Sequence, residues 1–169
     1  MNTILAAWNA ADEREAMDAM IACCGARRWA RAMAAQRPVA DVDKLCAAAD
    51  REWSGMEEAD WMEAFACHPR IGERKAVQAT AKSEAWSMQE QAGAGRAAEG
   101  VLRKMAEGNA LYEQRYGFTY IVCATGKTAE EMLTILKRRL GNDRDRELRE
   151  AAEQQRQITQ IRLKKWLAE

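Results

Sequence analysis

The sequence contains a single histidine, His68, among its 169 residues. This excludes any metal site built on two or more histidines, and any imidazole chemistry has to use this one side chain. There is also no excess of either charge, because 26 Lys and Arg residues balance 26 Asp and Glu residues. Nucleic acids and anionic membranes are bound through a basic excess, so neither is expected as the main partner.

Long apolar runs are missing as well, and none approaches the roughly 20 residues needed to cross a bilayer. The first residues have no basic segment ahead of an apolar one, so we expect no signal peptide. The last three residues carry no peroxisomal signal. The five cysteines include no C-x-x-C pair, which favours reduced and mostly buried thiols. These absences predict a cytoplasmic protein without a membrane segment.

Proline and β-branched residues are few, whereas alanine, glutamate, arginine, leucine and methionine dominate, a composition that favours helix. Apolar residues recur at helical spacing, and Gly25 and Pro38 act as stop signals. Four short helices are predicted over 12–22, 27–36, 41–53 and 57–66. A longer one is predicted from a capping box at Ser87 to about residue 115, and two more over 128–141 and from 143 or 145 to about 166.

One β-prone run, residues 118–123, stands alone, and a single strand cannot form a normal sheet. We therefore expect an extended segment that crosses a helical body. The sequence shows no repeat and no linker. The expectation is an all-α, single-domain helical bundle over residues 1–169, with about eight helices and one short extended segment near 118–124.

Two local patterns suggest sites but have simpler explanations. Residues 124–128 resemble the end of a phosphate-binding loop, but Ile121 stands where that motif needs a glycine, so a helix-capping turn is the better interpretation. Cys67 beside His68 is poor geometry for a thiol nucleophile and its base, because adjacent side chains usually point apart. No cluster of carboxylates has metal-ligand spacing alongside the single imidazole, so no metal site is predicted.

His68 is harder to explain as a structural residue. A lone histidine is more often structural than catalytic, but this one lies beside Pro69 in an irregular segment, where a side chain can project into a pocket. Glu90 and Gln91 are expected in the first turn of the long helix, where the dipole favours a carboxylate. An imidazole facing such a carboxylate would be held in one tautomer with a raised pKa, as a general acid or base near neutral pH requires.

Several short sequence blocks are together specific enough to indicate a protein family, although each alone would be weak. The blocks are residues 64–65, 68–73, 86–92, 116–118, 121–128 and 158–163. Together they resemble the family of 2-oxo-4-hydroxy-4-carboxy-5-ureidoimidazoline (OHCU) decarboxylases. OHCU is an intermediate between urate and allantoin. The resemblance covers most of the chain, and the N-terminal helix is its least diagnostic part.

The resemblance implies an all-α enzyme that decarboxylates OHCU to (S)-allantoin in urate catabolism, without cofactor or metal, and that forms a homodimer. It implies that His68 is the catalytic acid or base, and we add the hypothesis that Glu90 orients it. The substrate-binding residues it implies are Pro69, Ser87, Gln91, Ile121, Val122, Cys123, Ala124, Thr125 and Arg162.

Two other functional classes stay open on the sequence. A non-enzymatic all-α interaction module would use residues 68–69 only as a helix break. Another lyase or hydrolase would act on a related ureido compound, and only substrate assays separate it from an OHCU decarboxylase. The enzyme is favoured over the module if His68, Glu90 and Arg162 surround one enclosed pocket.

Overall fold

A computed structural model describes residues 2–73, 76, 78–94 and 97–169. Over these residues the chain forms nine α-helices and no strand, which confirms the all-α prediction. The helices are α1 Thr3–Ala10, α2 Glu13–Cys23, α3 Arg27–Ala35, α4 Val42–Ser54, α5 Glu58–Phe65, α6 Ala81–Glu90, α7 Glu99–Tyr116, α8 Ala129–Arg139 and α9 Arg144–Trp166.

The chain divides into two compact units. Unit 1 comprises Met1–Ala64 and Arg156–Glu169, and unit 2 comprises Phe65–Gln155. The long helix α9 therefore supplies its first half to unit 2 and its second half to unit 1.

In unit 1, α2 packs on α3 and α3 packs on α4, with large apolar side chains between them. Trp29 and Met33, which are four residues apart on α3, are fully buried as their spacing predicts. The Trp29 indole N–H donates to the Ala49 carbonyl on α4 at 3.1 Å. Polar caps begin α2 and α4, since the Asp12 and Asp41 side chains accept from backbone N–H groups three residues on.

In unit 2, α7 packs on α8, and a glycine allows the two helices to come close. A Cβ at Gly108 would lie 2.6 Å from a terminal carbon of Leu136, and one at Gly93 would lie 2.5 Å from the Lys127 carbonyl oxygen. Gly100 has open space around it, and Gly95 lies outside the described residues.

The predicted long helix beginning at Ser87 is wrong. Thr80 caps α6 instead, where its side chain accepts from the Ser83 backbone N–H at 3.0 Å. Residues 81–86 are good helix formers, so the helix extends towards the N-terminus beyond the apparent capping box. Glu90 is consequently the last residue of α6 and Gln91 its C-cap, at the negative rather than the positive end of the dipole.

The predicted extended segment is confirmed. Residues 119–124 adopt neither helix nor strand, and Tyr120 to Ala124 are buried. The capping box at Thr128 then begins α8, with the Thr128 hydroxyl accepting from Glu131 N–H at 3.1 Å and the Glu131 carboxylate accepting from Thr128 N–H at 2.9 Å. In the part of the chain that the structure describes, no helix combines the length and the apolar character that a membrane span requires.

Candidate active site

His68 lies three residues after the end of α5, in the segment predicted to be irregular. Its backbone N–H donates to the Phe65 carbonyl at 3.1 Å, which closes the last turn of the helix. The half-buried imidazole lines a cavity of about 370 Å³ within unit 2. The other lining residues are Arg70, Glu73, Ala76, Glu113, Gly117, Phe118 and Thr119.

The imidazole contacts an amide from α9. Nε2 of His68 lies 2.6 Å from Oε1 of Gln155, and the Gln155 side chain is 0% exposed. An amide oxygen is a hydrogen-bond acceptor, so this contact constrains both the orientation of the ring and the position of its proton.

The cavity also holds fixed charges. Arg70 forms a bidentate ion pair with Glu113, in which Nε lies 2.6 Å from Oε1 and Nη2 lies 2.9 Å from Oε2. Its Nη1 also donates to the Glu73 carboxylate at 3.3 Å. The hydrogen bonds and charge of Glu113 hold the pKa of the Arg70 guanidinium above its ordinary value. One imidazole, one permanent cation and two carboxylates therefore meet at this cavity, a set that can transfer a proton and orient a polar ligand.

The turn formed by residues 70–73 borders a second cavity of about 310 Å³, also lined by Asn109 of α7. The Asn109 side-chain NH₂ donates to the Ile71 carbonyl at 3.1 Å and so ties the turn to α7. Its buried Oδ1 has no hydrogen-bond partner among the described residues.

Gln91 joins the end of α6 to the same turn. Its Oε1 accepts from the Gly72 N–H at 2.9 Å, where a φ of +94° gives the turn a backbone conformation that glycine tolerates. Gln91 also lines a third cavity of about 200 Å³. Ser87 is buried on α6 and Glu90 is half-buried at its end, and neither lines any of these three cavities.

The extended segment is held by hydrogen bonds from its backbone. Cys123 N–H donates to Oε1 of Gln154 at 2.8 Å, and its carbonyl accepts from Lys127 Nζ at 2.7 Å. The Ile121 carbonyl accepts from Nη1 of Arg139 at 2.6 Å. Residues 121–124 are buried, whereas Thr125 is exposed.

Arg139 belongs to a buried ion pair that supports this segment. Its Nε lies 2.7 Å from Oε1 of Glu147, both side chains are 0% exposed, and the Tyr112 hydroxyl donates to the same carboxylate oxygen. Asn142 donates to the other oxygen at 2.9 Å. Burial lowers the pKa of the Arg139 guanidinium, but the hydrogen bond to Glu147, together with the electrostatic effects of Tyr112, Glu147 and Tyr120, raises it, so the net direction is upward.

Comparison with known proteins decides the family. The family model described as OHCU decarboxylase matches residues 9–164. The chain belongs to the OHCU decarboxylase family. The resemblance seen in the sequence is therefore confirmed.

Two relatives are each 35% identical in sequence to this chain. The uric acid degradation bifunctional protein TTL of Arabidopsis thaliana aligns over 144 residues, 85% of this chain and 44% of the relative. The 2-oxo-4-hydroxy-4-carboxy-5-ureidoimidazoline decarboxylase of Amia calva aligns over 97 residues, 57% of this chain and 55% of the relative. The chain thus spans about half the length of these relatives.

A crystal structure of OHCU decarboxylase in the presence of (S)-allantoin is 32% identical, with a TM-score of 0.78 over 90% of this chain and 99% of that one. A crystal structure of (S)-allantoin synthase is 16% identical, with a TM-score of 0.71 over 96% of this chain and 53% of that one. At that lower identity the second likeness shows the fold alone.

The structure places the predicted site residues of this OHCU decarboxylase family member in three groups. His68 lines the 370 Å³ cavity, the buried Pro69 follows it, and Gln91 holds the adjoining turn. Ser87, Glu90 and the 121–125 segment also belong to unit 2, and their roles stay predictions. Arg162 is a buried residue of unit 1.

Sequence reasoning missed Gln155, although a signal for it was present. Leu148, Ala151, Ala152 and Ile158 form a buried stripe along α9, and Gln155 falls on the same stripe at helical spacing. A polar side chain on an apolar stripe requires a buried partner, and here the partner is the imidazole of His68.

Proposed function

We propose that this protein decarboxylates OHCU to (S)-allantoin. The observation that carries the proposal is that its one histidine lines a cavity of about 370 Å³ together with Arg70, Glu73 and Glu113. This cavity lies within the span that the family model matches. The names of the two relatives, an OHCU decarboxylase and a protein of uric acid degradation, support the same activity.

The chemistry asks little of the protein beyond proton transfer. The ring carbon that loses carbon dioxide is next to a C=N bond, and this bond takes up the electron pair as the carbon–carbon bond breaks. The nitrogen of that bond takes a proton from the solvent, the hydroxyl on the first carbon becomes the ring carbonyl by losing its proton, and the ureido-bearing carbon gains a proton. Because the substrate contains its own electron sink, we propose that neither a cofactor nor a metal takes part.

We propose that His68 handles these protons, either by removing the hydroxyl proton or by protonating the ureido-bearing carbon from one face. Delivery from one face is what makes the product (S)-allantoin rather than a racemate. A positioned acid or base of this kind contributes about 10²–10⁴-fold to the rate. Glu90 remains a proposed catalytic residue, whereas the imidazole Nε2 contacts the Gln155 amide rather than a carboxylate.

The remaining site residues are proposed as substrate contacts. The planar guanidinium of Arg162 suits a carboxylate or a ureido oxygen. Ser87 and Gln91 would supply uncharged hydrogen bonds, with Pro69 beside His68. The wall against the substrate ring would be formed by Ile121, Val122, Cys123, Ala124 and Thr125.

We propose a cytoplasmic homodimer, as the family resemblance implies, with OHCU as its small-molecule partner. Light scattering on the purified chain measures the assembly directly, and a mass of one chain at assay concentration would contradict the dimer. Among the described residues, Met88 and Leu111 are the large apolar side chains with high exposure, so no extended apolar surface favours the interaction module.

The test uses His68→Asn, with Cys67→Ala as the matched control at the neighbouring position. Freshly made OHCU is supplied, and the optical activity of the allantoin is followed, because spontaneous decay gives racemic product. We expect His68→Asn to lose about 10²-fold or more of its rate of (S)-allantoin formation, while Cys67→Ala keeps it. Circular dichroism checks that the helices are intact. Near-normal formation of (S)-allantoin by His68→Asn would overturn the assignment.

A further inference from the structure

The strongest unassigned feature of unit 2 is the contact between His68 and Gln155. The two heavy atoms, Nε2 of the ring and Oε1 of the amide, are 2.6 Å apart. Gln155 is fully buried within the apolar stripe of α9, and a buried amide oxygen needs a donor to offset the loss of its water. The imidazole of His68 lies within hydrogen-bond distance to be that donor.

The identity of the two atoms determines where the proton lies. An amide oxygen can only accept, so the ring nitrogen that faces it has to carry a hydrogen. In the neutral imidazole, Nε2 then holds the proton and Nδ1 holds the lone pair. When the ring is doubly protonated, both nitrogens donate, and the bond to Gln155 is kept. The amide can therefore hold the ring before and after a proton transfer.

Gln155 also differs from a carboxylate partner because it carries no charge. A carboxylate at this distance would favour the imidazolium and raise the pKa of His68. The charged groups that line the cavity with His68 are Arg70, Glu73 and Glu113, and Arg70 is paired with both carboxylates. The contribution of Gln155 is thus one of orientation rather than of charge.

We infer that Gln155 is a positioning residue that fixes His68 as the Nε2–H tautomer, which leaves the lone pair of the neutral ring on Nδ1. The catalytic meaning of this inference rests on the proposed function, whereas the contact itself does not. Gln155 acts only through the imidazole.

The first test exploits the single histidine, whose ring signals in an NMR spectrum have one possible origin. Gln155→Glu places a carboxylate at the ring, and we expect the pKa of His68 to rise by about 1–3 pH units relative to the unsubstituted protein. Gln114→Glu, the same change at an exposed position on α7, is the matched control and should shift the titration by well under one pH unit. An unchanged His68 titration in a folded Gln155→Glu protein would overturn the inference.

The second test covers the case in which Gln155→Glu does not fold. In protein labelled at the histidine ring nitrogens, the Nε2 proton should be protected from solvent exchange, and Gln155→Leu should remove that protection. A protected proton on Nδ1 in the unsubstituted protein would mean that the amide donates instead, and would also overturn the inference.

The activity test separates this inference from the proposed function. In Gln155→Leu we expect kcat for OHCU to fall about 10–100-fold with KM changed little, because the ring loses its orientation rather than the substrate its contacts. In Gln155→Glu the pH profile should move in the same direction as the NMR titration. An unsubstituted protein that is inactive on OHCU contradicts the proposed function alone, since both NMR results still test the contact. An unaltered kcat in Gln155→Leu contradicts the positioning role alone.

Discussion

Replacing Glu147 by leucine should destabilise the protein more than most single substitutions in it. Arg139 and Glu147 are both 0% exposed, and the Arg139 Nε lies 2.7 Å from Oε1 of Glu147. The substitution leaves the guanidinium buried without its counter-charge and removes the acceptor used by Tyr112 and Asn142. Breaking one side of a buried ion pair costs about 3–5 kcal/mol, which for a chain of this size lowers Tm by about 6–20 °C.

Thermal and urea unfolding followed by circular dichroism measure this loss. The control is Arg138→Gln, which removes the neighbouring cation of α8 from an ion pair with Glu150 in which the Arg138 side chain is 55% exposed. An exposed pair contributes at most about 1 kcal/mol. The double variant Arg139→Met with Glu147→Leu should recover part of the loss, because no uncompensated charge is then buried. If Glu147→Leu costs no more than Arg138→Gln, the reasoning from burial is refuted.

Two further predictions follow from the packing of unit 2. Burial raises the pKa of both Tyr112 and Tyr120 above the ordinary value of 10.0, so their neutral forms stabilise the fold below about pH 10, and that stability is lost as the pH rises further. In an alkaline titration, helix content should fall together with the appearance of tyrosinate absorbance. Ionisation of both residues in a fully helical protein would contradict this prediction. Gly93→Ala should cost about 1–3 kcal/mol, because its Cβ would meet the Lys127 carbonyl oxygen at 2.5 Å. Gly100→Ala, in open space on α7, should instead be neutral or stabilise by up to about 1 kcal/mol in the same urea titration, and equal effects at the two glycines would show that the close approach does not matter.

The fold was predictable wherever the deciding interaction is local. The caps at Asp12, Asp41 and Thr128 bind backbone groups three residues away, so the sequence around each contains the whole interaction. The same reasoning failed at Ser87, because a serine followed three residues later by a glutamate is also compatible with the interior of a helix. Only the cap at Thr80 shows where α6 begins.

The site was predictable only in part for a related reason. His68 could be found because it is the one histidine and lies in a break between helices. Its contact with Gln155 joins residues 87 positions apart, and no local pattern specifies such a pair. The same holds for Arg139, whose contact with the Ile121 carbonyl depends on how α8 packs. The polar residue on the apolar stripe of α9 indicated that a partner existed but not which one it was.

Two neighbouring glutamines of α9 serve different parts of the site. Gln154 accepts from the backbone of Cys123, and Gln155 contacts His68. Successive residues on a helix point about 100° apart, so the two amides set the angular separation of the two segments they hold. Loss of a single residue from α9 ahead of Gln154 would turn both amides away together. Evolution and protein engineering can therefore alter these positions by substitution, whereas a change in the length of this part of the helix would remove both supports at once.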